Sequence, residues 1–401
     1  KISDIFEDTS YIGIGHSGLS EGEQFISGDC IDGSKGNHAF TVSDDRELVF
    51  TNIPVFGDDV WGNYYVIFDS VEKGYLFPNT YTIPSLDLVE NAAGEWTAEI
   101  ELEKVALIVG DVAVTSENAL DILGDGTARY DAGSGVLTLT NANITADYVV
   151  STNMDQLTVE IPSGTTTTLT IAPVDYRGHA AAIEASGDLS ILGGGTLIID
   201  GDKGVDAICG GYQYSNDEEY ELSISDVTVK MPSNNTTGIT ANRGNLILRN
   251  ATVLKTGEED YGHLITGKSI DIIESKIEVI SAGTKLIWSA GGDITIVDSV
   301  IKLDVDSTRN VYYSIFAEMG AISISGTSAI EIISEETDTS TDYEFLTATN
   351  GIQVEDGLLI TGSDNVLCEI YQNSSLDSYS VRYKEEEERY PTMISVAGSS
   401  W

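Results

Sequence analysis

Hydrophobic and polar residues alternate in short stretches along the chain, and between about residues 182 and 361 this pattern repeats. Each repeat has a short apolar piece ending in a small residue, a glycine-containing corner, and two alternating stretches separated by a second corner. The first apolar anchors are Ile183, Ile208, Ile239, Ile265, Ile287, Ile315 and Leu346, at spacings of 25, 31, 26, 22, 28 and 31 residues. Repeats of this length are typical of solenoid proteins, whose units stack along one axis.

The middle stretch of each repeat has a period of two residues. In the first repeat Leu189 and Ile191 flank Ser190, so that one face is apolar and the other is polar. This alternation predicts a strand that is buried on one face only. No stretch sustains the i, i+3, i+4 apolar spacing of a helix, so we expect helices to be nearly absent.

Three strands per repeat with corners at fixed places predict an all-β fold, a right-handed parallel β-helix with three strands per coil. The right hand is expected because connections between parallel strands nearly always have it. The residue that ends the short apolar piece is small, as a tight corner requires, and this column is Ala185, Gly210, Ala241, Gly267, Ser289, Ala317 and Ala348. Because a solenoid must cover its open ends, we assign an N-terminal cap to residues 106–144 and C-terminal cap strands to residues 362–401.

Residues 1–105 carry no coil repeat. They contain short alternating runs between Gly, Asp, Asn and Pro turns, which predict a small antiparallel β-sandwich. The expected domains are therefore a β-sandwich over 1–105 and a parallel β-helix over 106–401.

Two parts of the chain resemble known families. The run VGDVAVTSENALDILGDGTARYDAGSGVLTLTNANI at 109–144, followed by coils of the type AIEASGDLSILGGGTLIIDG, resembles the β-helix repeat regions of large surface proteins from Gram-positive, gut-type bacteria. The segments FTVSDDRELVFTNIP, NYYVIFDSVEKGY, YTIPSLDL and EWTAEIELEKV resemble the pilin-type and collagen-adhesin B-type sandwich domains of Gram-positive surface proteins. The resemblances imply a secreted or cell-surface protein whose first domain is a stalk or spacer.

The chain departs from the pilin and adhesin pattern in two places. The insertion VFGDDVWG at 55–62 replaces a short turn, and no lysine-bearing first strand can be located. We therefore assign no Lys–Asn isopeptide bond.

The charge of the chain argues against two classes of partner. Twenty basic and 65 acidic residues give a net charge of −45, which repels nucleic acid and anionic membranes. No run of eighteen apolar residues is present, so we expect no membrane insertion. An acidic, solvated surface is the simplest interpretation, and calcium capture by stacked acidic loops is the alternative; no other cofactor is indicated.

The cysteines and the chain ends point to no covalent framework. Cys30, Cys209 and Cys368 are odd in number and far apart, which argues against a disulfide framework. Cys209 falls in a coil strand and is expected to be a small packed side chain. The chain begins at Lys1 without a signal peptide and ends at Trp401 without a sorting signal, so we expect a mature or trimmed piece of an exported protein. We separately expect a monomer.

Stacked coils place equivalent residues in columns on the outside of the solenoid. The outward column of the apolar strand is Glu184, Cys209, Thr240, Thr266, Trp288, Phe316 and Thr347. Aromatic rings flanked by hydrogen-bonding groups suit a polysaccharide, because the apolar face of a sugar stacks on a ring while its hydroxyls bond at the edge. The candidate carbohydrate-binding residues are Trp288, Phe316, Tyr261, Tyr312 and Tyr313; the alternative is that long loops cover these rings.

Catalytic chemistry has weaker support in the sequence. Glu278, Lys302 and Glu331 occupy equivalent positions in three coils, which predicts a ladder of opposite charges. Arg177 and His179 form the one basic pair at a loop entrance, where a histidine is more often structural. The chain has no HExxH or G-x-S-x-G motif. We assign no catalytic and no metal-binding residue.

These observations favour an extracellular glycan-binding or adhesion module without catalysis, whose partner is a polysaccharide or a host or cell-surface glycan. Two alternatives stay open, a polysaccharide lyase or glycoside hydrolase on a β-helix, and a purely structural cell-surface spacer. Acidic residues clustered with a base would favour the enzyme. Exposed Trp288 and Phe316 side chains would favour the binding module, and a smooth polar surface would favour the spacer.

Overall fold

The computed structural model divides the chain into two compact units, Lys1–Ala106 and Leu107–Trp401. In the first unit the structure describes the backbones of eight strands. In the second it describes residues 107–398 apart from 172–180, 202–205, 212–219, 233–237, 243, 257–262, 281–284, 306–312, 335–343, 363–366, 374–377 and 384–392. Each unit is considered by itself.

The described strands of the first unit form two four-stranded antiparallel sheets. They are β1 (Tyr11–His16), β2 (Phe25–Cys30), β3 (Phe40–Val42), β4 (Glu47–Phe50), β5 (Tyr64–Asp69), β6 (Thr80–Ile83), β7 (Val89–Glu90) and β8 (Trp96–Glu99). The orders are β2-β1-β5-β6 and β3-β4-β8-β7. Two antiparallel sheets are the strand content that a small sandwich requires, and the insertion at 55–62 lies outside the described residues.

The second unit is a stack of three-stranded coils. Before the first coil lie β9 (Leu107–Val109), β10 (Val112–Ala113), β11 (Ala128–Asp131), β12 (Val136–Leu139) and β13 (Asn143–Ala146). The coils then run β14 (Val150–Thr152), β15 (Gln156–Glu160), β16 (Thr166–Ile171); β17 (Ala181–Ala185), β18 (Asp188–Leu192), β19 (Thr196–Asp200); β20 (Asp206–Gly210), β21 (Glu221–Ser225), β22 (Thr228–Met231); and β23 (Ile239–Ala241), β24 (Asn245–Arg249), β25 (Thr252–Lys255).

The stack continues with β26 (His263–Gly267), β27 (Ser269–Ile273), β28 (Lys276–Ile280); β29 (Lys285–Ser289), β30 (Ile294–Val297), β31 (Val300–Val305); β32 (Tyr313–Ala317), β33 (Ile322–Ser325), β34 (Ala329–Ser334); and β35 (Glu344–Ala348), β36 (Ile352–Val354), β37 (Leu358–Gly362). It ends with β38 (Cys368–Asn373), β39 (Ser378–Tyr383) and β40 (Met393–Gly398). No helix is present in the part of the chain that the structure describes.

Equivalent strands of successive coils build three long sheets. Sheet A contains β14, β17, β20, β23, β26, β29, β32 and β35; sheet B contains β15 and its successors to β36; sheet C contains β16 and its successors to β34. The coil strands within each sheet pair in parallel, as in the register Leu189↔Leu222 and Leu246↔Ile270. The predicted all-β fold of parallel coils with three strands each is confirmed.

The core follows from the period-two alternation. Because parallel register keeps equivalent residues in one column, each inward side chain stacks on its counterpart one coil away. Leu189, Leu222, Leu246, Ile270 and Ile294 form such a column in sheet B, and all five are fully buried. Burying a side chain of this size is worth about 1.5–3 kcal/mol, so each coil contributes to one continuous hydrophobic core.

The corner between sheets A and B requires small residues, as predicted. The paired residues include Ala185↔Gly210 and Ser289↔Ala317. At Gly210 an added Cβ would lie 3.3 Å from the Cβ of Leu222, closer than most side chains tolerate. A larger residue there would displace the core of the next strand.

The corner between sheets B and C uses left-handed backbone. Asp226, Asn250, Glu274 and Asp298 have φ values of 60°, 46°, 50° and 49° in four successive coils, and Gly326 follows with 68°. Left-handed backbone is costly for side chains other than Gly, Asn and Asp, so Glu274 is the strained member. The corner turns the chain from sheet B into sheet C within two residues, as between Ile273 and Lys276.

Both ends of the solenoid depart from parallel pairing. At the start β9 runs antiparallel to β14, and β11 and β12 form an antiparallel hairpin. At the end β38 and β39 form a hairpin whose second strand pairs with β35. Strand β40 lies antiparallel between β34 and β37. The last strand is therefore an insertion into sheet C.

Candidate functional site

The outer side of sheet A carries the predicted site residues, and we call it the sheet A face. Its first column is the predicted one, with the register Ser151↔Glu184, Glu184↔Cys209, Thr240↔Thr266, Thr266↔Trp288, Trp288↔Phe316 and Phe316↔Thr347. A second column lies three residues earlier and includes Ala181↔Asp206, His263↔Lys285, Lys285↔Tyr313 and Tyr313↔Glu344. Both columns run along the axis of the solenoid.

Strict alternation would misplace the residues between the two columns. Leu264 and Leu286 directly precede the anchors Ile265 and Ile287, and a period of two would turn them outward. They are 3% and 2% exposed, so they belong to the core. Two consecutive residues are buried at this point in each strand, and for this reason residues three apart can share the outer face.

Four aromatic side chains meet on the sheet A face, and we call them the aromatic cluster: His263, Trp288, Tyr313 and Phe316. The ring centroids of His263 and Trp288 are 4.5 Å apart with the planes at 53°. The rings of Tyr313 and Phe316 are stacked, 4.4 Å apart at 15°. All four side chains are partly exposed. They lie on the adjacent strands β26, β29 and β32, which makes the cluster continuous.

Two polar groups define the surroundings of Trp288. Its Nε1–H donates a hydrogen bond of 2.9 Å to Oε2 of Glu318, one residue beyond β32. This bond restricts rotation of the indole, because the carboxylate sits on the next coil. On the other side, the Oγ1 of Thr266 is buried without a hydrogen-bond partner among the described residues. An unmade bond of this kind costs about 1–3 kcal/mol.

The structure brings together three of the five residues that the sequence predicted. Trp288 and Phe316 face each other in register, and Tyr313 stacks on Phe316. Tyr261 and Tyr312 lie outside the described residues. Sequence reasoning missed His263 in the cluster. The sequence contained the information needed to include His263, because this residue precedes the anchor Ile265 by two positions, just as Tyr313 precedes the anchor Ile315.

Acidic groups occupy the N-terminal part of the sheet A face. Glu184 pairs in register with Cys209, and Asp206 lies three residues before Cys209 in β20. Burial, with a smaller contribution from Asp206, raises the pKa of Glu184 to about 7. No described residue donates a hydrogen bond to its carboxyl group. Tyr148 stands nearby, and burial, followed by the charge of Glu184, raises the pKa of its hydroxyl.

Cys209 is a packed side chain, as predicted. It is 4% exposed. Burial raises the pKa of its thiol, and the negative charges of Asp206 and Glu184 raise it further. A thiol that stays protonated is a poor nucleophile, so this cysteine is structural.

The predicted charge ladder lies on sheet C, away from the sheet A face. Glu278 pairs with Lys302, and Lys302 pairs with Glu331. The Nζ of Lys302 is 3.4 Å from Oε2 of Glu331. The Nζ of Lys276 is 2.8 Å from Oε2 of Glu278. The hydrogen bond from Lys276 lowers the pKa of Glu278. Exposed pairs of this kind contribute little individually to stability.

Neither a metal-binding cluster nor a membrane-spanning helix occurs among the described residues. No group of three or more His, Cys, Asp or Glu side chains there could hold a metal ion. None of the described elements is a helix of the length and apolarity that crossing a membrane demands. Comparison of the chain with protein-family models, with curated proteins and with solved structures finds no match in any of the three.

Proposed function

We propose that this protein is an extracellular, surface-exposed module that binds a glycan along the sheet A face. The observation that carries the proposal is the aromatic cluster, in which four partly exposed rings lie on three adjacent strands. The apolar face of a sugar ring stacks on an aromatic side chain, while its hydroxyl groups need polar partners at the edge. Glu318 supplies such a partner next to Trp288.

The scaffold suits a linear polymer better than a small molecule. Successive strands of a sheet are about 4.8 Å apart, so the face extends as a straight track along the stack of coils. The rings are held by β-strands and by their mutual contacts, so little side-chain entropy is lost when a ligand binds. A preorganised, elongated surface favours binding a polysaccharide over enclosing a single sugar.

The test is retention on insoluble polysaccharides and on a glycan array, with and without calcium. Trp288→Ala and Phe316→Ala are each expected to weaken binding about tenfold, since each removes a stacking contact and its apolar area. The matched control is Val300→Ala, which removes an exposed apolar side chain from sheet C. Unchanged retention in both aromatic variants would show that the proposal is wrong.

The same assay separates the two alternatives. The supernatant is analysed for released sugars; retention without release is the result expected of a binding module. Release of sugars would move attention to Glu184 and Asp206, because glycoside hydrolysis uses a pair of carboxyl groups. Absence of both retention and release would leave the structural spacer as the better description.

A further inference from the structure

We propose, on the basis of the proposed function, that the bound glycan carries protonated amino groups. The amino groups would pair with carboxylates at two places on the sheet A face. One is Glu318, beside the aromatic cluster, and the other is Glu184 with Asp206, near the N-terminal end of that face. The ligand class is thus an amino-sugar polymer with free amines, in contrast to a neutral, N-acetylated, sulfated or uronic acid polymer.

The aromatic end offers a carboxylate to an ammonium group. Glu318 accepts the Nε1–H of Trp288 through Oε2. A carboxylate has about four acceptor sites, so this bond leaves capacity for a donor from the ligand. An ammonium group next to this carboxylate is within reach of a charge-assisted hydrogen bond, while the sugar ring that carries it can stack on the aromatic cluster.

At the acidic end, small side chains neighbour Glu184. Ser151 and Cys209 pair in register with Glu184, Ala181 lies three residues before it in β17, and the three are 6%, 7% and 4% exposed. The carboxyl group of Glu184 is largely desolvated, yet no described residue donates a hydrogen bond to it or forms an ion pair with it. Ionising this carboxyl group without a partner is costly, and the cost is relieved when a cation arrives. The ligand would supply that cation.

The distance between the aromatic end and the acidic end suits a polymer. Glu184 is in β17 and Trp288 is in β29, four strands further along sheet A. At about 4.8 Å per strand the separation is about 19 Å, which several linked sugars would span. The net charge of −45 attracts a cationic polymer at long range and repels sulfated or uronic acid polymers. Charge and geometry therefore favour the same ligand.

The experiment compares two ligands with the same sugar backbone, in which N-acetylation replaces each ammonium group by a neutral amide. Glucosamine oligomers are titrated by calorimetry at pH 7, where a large share of Glu184 is ionised, and the same oligomers are titrated after complete N-acetylation. We expect the free amine form to bind at least about tenfold more tightly, because a hydrogen bond between charged groups contributes this much. Glu184→Gln and Glu318→Gln are each expected to remove most of the preference. Both substitutions keep the shape of the side chain, and the amide oxygen introduced at position 318 would still accept the indole N–H.

The controls separate a specific site from general attraction to an acidic protein. Glu221→Gln removes one negative charge from the exposed outer side of sheet B and should leave the preference unchanged. Trp288→Ala should weaken binding of both oligomers. A preference that persists in both site variants, or that falls equally in Glu221→Gln, would overturn the inference.

The inference and the proposed function can fail separately. Equal affinity for the two oligomers, or binding of a neutral glucan alone, would contradict the inference that the ligand is charged. The proposal that the protein binds a glycan would remain. Binding of no glycan at all overturns both.

Discussion

Glu184 connects the stability of the solenoid with pH. Its pKa in the folded protein is about 7, against an ordinary value of 4.5. Below pH 4.5 the carboxyl is protonated in the folded and the unfolded chain, and it carries no penalty. Between pH 4.5 and 7 the unfolded chain releases the proton while the folded chain keeps it, so stability falls through this window. Above pH 7 the loss is complete, at most roughly 3 kcal/mol.

Replacing Glu184 by Gln removes this ionisation. The variant should match the natural protein in stability at pH 4 and exceed it by up to roughly 3 kcal/mol at pH 8, as measured by urea denaturation. The groups facing Glu184 are Asp206, Cys209 and Tyr148, and none is altered. A difference that does not change between pH 4 and pH 8 would contradict the assignment, and Glu221→Gln is the control of equal charge.

At the scale of elements, a column of buried serines holds the corner between sheets B and C. The Oγ of Ser275 accepts the N–H of Ala251 at 3.1 Å, Ser299 accepts the N–H of Ser275 at 3.0 Å, and Ser328 accepts the N–H of Ser299 at 3.3 Å. These backbone donors point away from the sheet ladders because the residue before each donor is left-handed. The serines satisfy donors that would otherwise be buried without a partner.

Ser299→Ala leaves the N–H of Ser275 without its acceptor. It also removes the hydroxyl that donates to the carbonyl oxygens of Ile272 and Val297. We expect a loss of about 1–3 kcal/mol in the free energy of unfolding, measured in urea, with faster hydrogen exchange at the Ser275 amide. Ser323→Ala is the matched control, since Ser323 lies on the outer side of sheet B and is only partly buried. An equal loss in both variants would exclude a specific role for the corner.

At the scale of the whole molecule, the solenoid is a one-dimensional object whose last turn depends on the end of the chain. The residues Ile394 and Val396 of β40 are fully buried, and β40 is the one strand that pairs with β37 in the described part of sheet C. In a stack where each coil contacts only its neighbours, damage at one end spreads a limited distance.

Deleting residues 392–401 tests this local dependence. Without β40 the strand β37 loses its partner, so hydrogen exchange should accelerate in β35 to β39. Protection in β17 to β28 should persist, because those coils are completed by their own neighbours. The matched substitution is Ile394→Asp, which keeps the chain length and places a charge in the core. Loss of protection along the entire stack would contradict a one-dimensional description.

Much of the fold could be predicted because its determinants repeat. The alternation around Ser190 and the small residue at Ala185 recur in every coil, so one error in one coil would not alter the result. The same repetition predicted that Glu278 faces Lys302 and that Trp288 faces Phe316.

The sequence by itself determined three strands per coil, the apolar columns of the core and the small residues of one corner, since each depends on neighbouring residues and a fixed period. Tertiary structure decided the rest. Leu264 and Leu286 are buried against the alternation, and this placed His263 beside Trp288. Strand β40 inserts beside β34, which ends 59 residues before β40 begins. The proton affinity of Glu184 likewise depends on what buries it. Such features follow from contacts between residues that are distant in the sequence, and the local spacing of apolar residues contains no information about those contacts.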